Sequence, residues 1–492
     1  MIKIDNIFDN NYYVYLIFYI TFIEYLKNSY IYFNYQEILL FLFFLTFFSF
    51  ISYYLIKKFV KNKIKSGLIF LVIFIPFLNF SFIKDLIFKN SELTNIIFKP
   101  NLFLLLFLTL ISIFLIFFIY KSKRTFNRIN NFLNIFYIIH FIISIFTFCT
   151  SYANYSENLF LTNKNELSIS KKSYNVSEGK DIYFIVFDSY TSNNSLKQYW
   201  EYDNQQIINY LLKNRFIVND SARSNYDFTL FSIGSILNFS YFNDTILNKN
   251  IDKIVPYTFI SIKNSSLMNI LNKFGYNFYN LSPFDFGELK KFYDPNFFPN
   301  EPDRIFNYFF NLSALGVLIN RIKLETPDKS NSRILDTLKK IIREPSKNPK
   351  FVYAHFILPH DPFYFNSKGE KIPEKERRGV IAKKNKRNYL EQVIFTNSII
   401  EDIVQSILNN SKTEPIIVIQ GDHGYRYLDK NIFGTEENHS IFFATYLPDI
   451  KIDKQIHNIT GVNLFRFILN KYFDYDVPFL EHKEIFIPLV EN

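Results

Sequence analysis

Cysteine is almost absent from this chain: there is one, Cys149, in 492 residues. That excludes a disulfide framework and any cysteine-built zinc cluster. Glycine (12) and proline (17) are scarce as well, while apolar residues make up 49% and aromatics 20%, with 61 Phe and 35 Tyr. Collagen-like, low-complexity and disordered classes are thereby excluded. Acidic side chains are what the first third lacks: residues 1–150 carry 14 Lys and Arg against 6 Asp and Glu, whereas the rest balances at 41 and 39. Most of the +10 net charge thus belongs to the apolar part of the chain, where it lies in short runs between hydrophobic stretches. A cationic face for nucleic acid would need those charges on one polar surface, so nucleic-acid binding is not expected.

Five apolar segments are present, at residues 11–27, 38–56, 67–83, 101–120 and 131–150. Each approaches the ~20 residues a helix needs to cross a ~30 Å hydrocarbon layer. Lys57, Lys58, Lys61, Lys63 and Lys65 separate the second from the third, and Lys121, Lys123, Arg124 and Arg128 the fourth from the fifth. The positive-inside rule makes both loops cytoplasmic, with the N-terminus inside and everything after Ser151 outside. No small-residue cleavage site follows the first segment, which is expected to remain as an anchor.

Beyond about residue 178 short β-type runs alternate with helical ones, the pattern of an α/β domain with a mostly parallel central sheet. Strands are expected at 181–187, 216–218, 276–280, 351–358, 415–420 and 441–447, and helices at 205–213, 229–237, 265–274, 388–409 and 462–472. Residues 151–177 are polar and aperiodic and read as a linker. The expected organisation is a transmembrane domain over 1–150, that linker, and an extracytoplasmic catalytic domain over 178–492.

Chemistry-bearing side chains follow three of these strands. Asp188 follows DIYFIVF, His360 and Asp361 follow FVYAHFILP, and Asp422 with His423 follows PIIVIQG. In open parallel sheets the ligand crevice lies at the carboxyl ends of the strands, so three distant stretches deliver carboxylates and imidazole to one rim. Such groups suit a divalent cation. Thr229, where a helix begins in NYDFTLFSIGSILN, is placed as a nucleophile near the positive end of a helix dipole, although a plain N-cap would look the same. His355 lies inside a strand and reads equally as a core histidine. His439 could complete a second cation site or meet a substrate phosphate. Arg223 and Arg426 fit either an anion or a solvated surface.

The ordered series IYFIVFDSY, the stretch ending in DFTLFSIGSILN, FVYAHFILPHDPF, PIIVIQGDHG and IFFATYLP resembles the membrane-anchored sulfatase-like branch of the alkaline phosphatase superfamily. That branch includes lipoteichoic-acid synthases and lipid A phosphoethanolamine transferases. The resemblance implies that Asp188, Thr229, Asp422 and His423 hold a divalent metal ion such as zinc, manganese or magnesium, with Thr229 also the nucleophile. His360 would bind substrate or protonate the leaving oxygen, and His439 would match the later histidine of the phosphoethanolamine transferases; His439 and, from its position alone, His355 are the candidates for a second site or for substrate binding. It further implies a multi-pass protein of the bacterial cytoplasmic (inner) membrane that moves a phosphoglycerol or phosphoethanolamine group from a phospholipid donor to an envelope glycan acceptor. Ester hydrolysis at the same site and a non-catalytic envelope scaffold are the alternatives. The C/S-x-P-x-R sequence that classical sulfatases mature into formylglycine does not occur here.

Overall fold

A computed structural model describes residues 10–29, 35–88, 100–153, 179–247, 251–284, 286, 313–314, 327–377, 386–426, 436–450 and 459–487. The expected linker lies outside these residues except for its first three. The chain divides into two compact units, residues 1–157 with 299–324, and residues 158–298 with 325–492. Residues 299–324, which the sequence reading places inside the second domain, group with the first unit.

Six helices are described in the first unit: α1 (Tyr13–Ser29), α2 (Tyr35–Val60), α3 (Lys63–Leu78), α4 (Phe80–Phe88), α5 (Pro100–Lys121) and α6 (Asn127–Ala153). By length and apolarity α2, α5 and α6 can each cross a membrane, and α3 with α4 makes a fourth span if that pair, bent by 61°, counts as one. Among the described residues three to four helices thus meet the length and apolarity of a span, beside about five expected; α1, expected as the first, has 17 residues. The bend follows Pro76. Proline has no N–H to give the carbonyl four residues back, and that carbonyl, on Val72, instead accepts from Ser112 Oγ of α5 at 3.2 Å. Helix α1 is buried along most of its length, with Tyr13, Val14, Phe18 and Phe22 at its core. Polar groups fix its entry: Tyr13 OH donates to Asn130 Oδ1 (2.8 Å), the Tyr12 amide to Asn134 Oδ1 (2.9 Å), and Asn134 Nδ2 to the Asn10 carbonyl (2.6 Å). In an apolar surround such groups are costly unless paired.

In the second unit a six-stranded sheet is built from β1 (Ile182–Phe187), β2 (Ile217–Val218), β3 (Asn277–Leu281), β4 (Lys350–Phe356), β5 (Ile416–Gly421) and β6 (Phe443–Tyr446), in the order β2-β6-β5-β1-β4-β3. The pairs β3–β4, β4–β1 and β1–β5 are parallel, and β6 and β2 close one edge antiparallel. Strand β1 is the centre. Its sequence IYFIVF is aromatic and β-branched throughout and every residue is buried, as a strand covered on both faces requires. Alternate side chains feed two cores. Ile182, Phe184 and Val186 pack with helices α9 (Thr229–Asn238), α10 (Ile251–Lys263), α11 (Ser266–Lys273) and α14 (Leu464–Tyr472). Tyr183, Ile185 and Phe187 pack with α7 (Asn193–Trp200), α8 (Gln205–Lys213), α12 (Pro327–Arg343) and α13 (Lys386–Asn410). The result is a three-layer α/β sandwich whose central strands all run in one direction, so their carboxyl ends form one rim.

Candidate active site

Strand register sets the geometry. Phe187, the last residue of β1, is paired with Gly421 of β5 and with Phe356 of β4. The next residues on the two neighbouring strands are Asp188 and Asp422, so the sheet itself places these carboxylates side by side. Asp188 is held by its own amide, which donates to the Phe356 carbonyl at 2.9 Å. The chain then turns through Ser189, which has φ 64° in the left-handed region. That turn aims the Ser189 amide at Asp422 Oδ1 (2.9 Å), an oxygen that also accepts from the His423 amide (2.9 Å). Gly424 follows, where only a hydrogen fits: a Cβ there would stand 1.8 Å from the Glu437 carbonyl oxygen.

Three ligand atoms face one another at this rim. One each from Asp188, Asp422 and His423 lie within 4.8 Å of one another, with His423 Nε2 at 3.5 Å from Asp188 Oδ1 and 3.7 Å from Asp422 Oδ2. His423 Nδ1 lies 2.8 Å from the Gly424 carbonyl, and we assign the ring proton to it, which leaves the Nε2 lone pair toward the carboxylates. Asp188 Oδ1 and Asp422 Oδ2 are buried without a hydrogen-bond partner. Two such oxygens and one imidazole nitrogen converging on a point are the donor set of a divalent cation. The residues present therefore fit a metal ion.

Thr229 completes the group. It is the first residue of α9, whose N-cap, Phe228, offers no side-chain hydrogen bond. The hydroxyl of Thr229 lies 3.3 Å from His423 Nε2. Helix α9 is pinned to the rim by Ser232 Oγ, which donates to the Asp422 carbonyl at 2.6 Å.

Electrostatics match a site short of positive charge. Burial, followed by the adjacent Asp422, pushes the Asp188 carboxyl up to about 7. Burial also works against ionisation of Asp422, yet His423, His355 and the Ser189 amide hold it below the usual carboxylate range. His423 is driven down to about 3 and His355 to about 4, both by burial, so both imidazoles are neutral. His360 is raised: burial opposes its charge, but Asp188 and Asp361 favour the proton.

The histidines separate by position. His360 stands at the rim, its side chain 20% exposed, with Nδ1 2.5 Å from the Asp361 carbonyl oxygen. His355 lies deeper, on β4, with Nδ1 2.8 Å from the Tyr353 hydroxyl. His439 is not among the grouped ligands: Nδ1 meets the Ser224 carbonyl at 2.9 Å, and the ring stands edge-on to Phe486. Arg223 is committed to Glu484, with Nη2 2.8 Å from Oε2, and so is no free anion site. Sequence reasoning missed Ser189 and Ser232, whose roles come from backbone geometry and carry no residue-type signal.

The family described as Sulfatase matches residues 184–466, more than half of the chain, from within β1 to within α14. The chain belongs to the sulfatase family. No curated protein matches this sulfatase-family chain. Among solved structures it is similar to the C-terminal periplasmic domain of EcEptC from Escherichia coli in complex with zinc (11% identity, 65% of this chain and 88% of that one, TM-score 0.40). It is also similar to lipooligosaccharide phosphoethanolamine transferase A from Neisseria meningitidis (12%, 80% and 76%, TM-score 0.36) and to the lipoteichoic acid synthase LtaP from Listeria monocytogenes (11%, 59% and 71%, TM-score 0.34).

Proposed function

We propose that this sulfatase-family protein is a metal-dependent phosphoryl-group transferase, of phosphoglycerol or phosphoethanolamine type, with Thr229 as nucleophile. The observation that carries the reading is the Thr229 hydroxyl at 3.3 Å from His423 Nε2, on the first residue of a helix and beside two buried carboxylates. Asp188, Asp422, His423 and the Thr229 oxygen would hold the metal, which when bound supplies positive charge that favours an ionised hydroxyl and polarises a phosphoryl oxygen. The N-terminal end of α9 adds a fixed positive potential at the same place. Thr229 Oγ gives its proton to solvent water and forms a bond to phosphorus as the bond from phosphorus to the lipid oxygen breaks. His360, whose environment favours its protonated form, gives the proton that the departing diacylglycerol oxygen takes up. An envelope-glycan hydroxyl, giving its proton to the now neutral His360, then displaces the Thr229 oxygen from phosphorus, and that oxygen takes up a proton from water.

A phospholipid donor suits a chain with helices long and apolar enough to cross a membrane, and the charge of their loops favours the inner membrane with the catalytic unit outside. Incubation with headgroup-labelled phospholipid, followed by mass analysis of the peptide around Thr229, is expected to show the added group. An unmodified peptide from enzyme that releases diacylglycerol would overturn the reading. Membership of the sulfatase family favours a second reading, ester hydrolysis with water as acceptor. Release of free headgroup without any glycan product would select it.

A further inference from the structure

Helix α13 touches both stretches of chain that carry the grouped ligands, and it does so through one side chain. Tyr389, on its first turn, is fully buried. Its hydroxyl donates to the Ser189 carbonyl at 2.8 Å and accepts from the Thr191 amide at 3.2 Å, so a single oxygen spans the turn that follows Asp188. Burial pushes its ionisation well above the usual tyrosine range, and the hydroxyl therefore keeps the proton it donates. The ring packs on Tyr425, with ring centres 4.4 Å apart, and Tyr425 stands two residues after His423. Trp200 at the end of α7 and Phe363 hold the same ring, at 5.1 and 6.4 Å.

The turn needs such a hold. Ser189 at φ 64° occupies the left-handed region, which costs energy for a residue with a Cβ and persists only where the surroundings enforce it. Its amide is the one that donates to Asp422 Oδ1, which leaves Oδ2 of the same carboxylate toward the other ligands. Relaxation of this turn would release Asp422 and shift Asp188, its immediate neighbour in the chain. We propose that Tyr389 is a positioning residue for the metal ligands: its hydroxyl locks the Ser189 turn and its ring the chain after His423, so that Asp188, Asp422 and His423 face one another before an ion arrives. This rests on the reading of those three as metal ligands, and not on Thr229 as nucleophile.

The test is calorimetric titration of metal-stripped, detergent-purified full-length protein with zinc and, separately, with manganese. Tyr389→Phe keeps the ring and its packing and deletes only the hydroxyl. It is expected to bind the preferred metal about tenfold or more weakly than wild type, the loss typical of groups that orient ligands without touching the ion. Tyr276→Phe is the control, because that hydroxyl donates to the Lys180 carbonyl at 2.9 Å, at the amino ends of β3 and β1 and so opposite the rim. Both variants are expected to melt lower without metal, but only Tyr389→Phe to lose metal affinity. Wild-type affinity in folded Tyr389→Phe, or an equal loss in Tyr276→Phe, would overturn the inference; the transferase reading survives that result if Thr229 is still modified. Weaker metal binding by Tyr389→Phe in a protein whose Thr229 is never modified upholds the inference and removes the transferase reading. Wild type that binds neither metal would overturn both.

Discussion

The proposed division of work at this rim, with Asp188, Asp422 and His423 holding a metal and Thr229 attacking, is testable. Replacing Thr229 by Ala removes one hydroxyl and leaves both carboxylates and the imidazole in place. Turnover is expected to fall by about a thousandfold or more while metal content, read by plasma mass spectrometry, stays close to wild type. His423→Ala is expected to lose the metal as well as the activity, because it removes the only nitrogen of the set. Much of this grouping was legible in the sequence, since Asp188 and Asp422 each directly follow a strand in a parallel sheet and the register does the rest. His439, sixteen residues after His423, lies outside the Asp188, Asp422 and His423 group, with Nδ1 on the Ser224 carbonyl, a placement its spacing alone does not fix.

At the scale of elements, the short helical turn Glu436–His439 lies against the chain that leaves β1. Thr191 Oγ1 donates to Glu437 Oε1, while Oε2 of this buried carboxyl has no hydrogen-bond partner. Burial pushes Glu437 up to about 8. The folded state therefore holds this proton more tightly than the unfolded chain, whose value stays near the ordinary 4.5. The stability it confers is complete below pH 4.5 and is lost progressively as the pH rises to about 8. Melting temperature is expected to decline across that window, and Glu437→Gln, neutral at every pH, should flatten the decline. An equal slope in the variant would place the effect elsewhere. Regular elements were the most readable part of the sequence: all six strands lie where alternation and β-branched runs placed them. The bend between α3 and α4 was not, because hydropathy averages over Pro76 and sees one apolar run. Helix α12 escaped notice although Ile334, Leu338, Ile341 and Ile342 form a helical stripe, all buried, within an otherwise charged segment.

For the whole molecule, the assignment of residues 299–324 to the unit containing the apolar helices matters most. Ala314 is buried in a cluster with Phe80, Phe88 and Leu104. A fragment comprising residues 158–492 would deprive Ala314 of those partners. Such a fragment is expected to aggregate or to require detergent, and deletion of 299–324 from it should restore a monodisperse species, as judged by size-exclusion chromatography and sedimentation. Monodisperse behaviour of the undeleted fragment in plain buffer would contradict this. Composition could not reveal the arrangement, because an apolar stretch inside an α/β region reads equally well as local core.

Synthesis order gives the same division a temporal side. Strand β1 draws both its neighbours, β4 and β5, from sequence that leaves the ribosome only after residue 324. The apolar-helix unit can thus be finished while β1, which Asp188 follows, still lacks either neighbour, so a nascent chain arrested near position 330 would be unable to bring Asp188 beside Asp422.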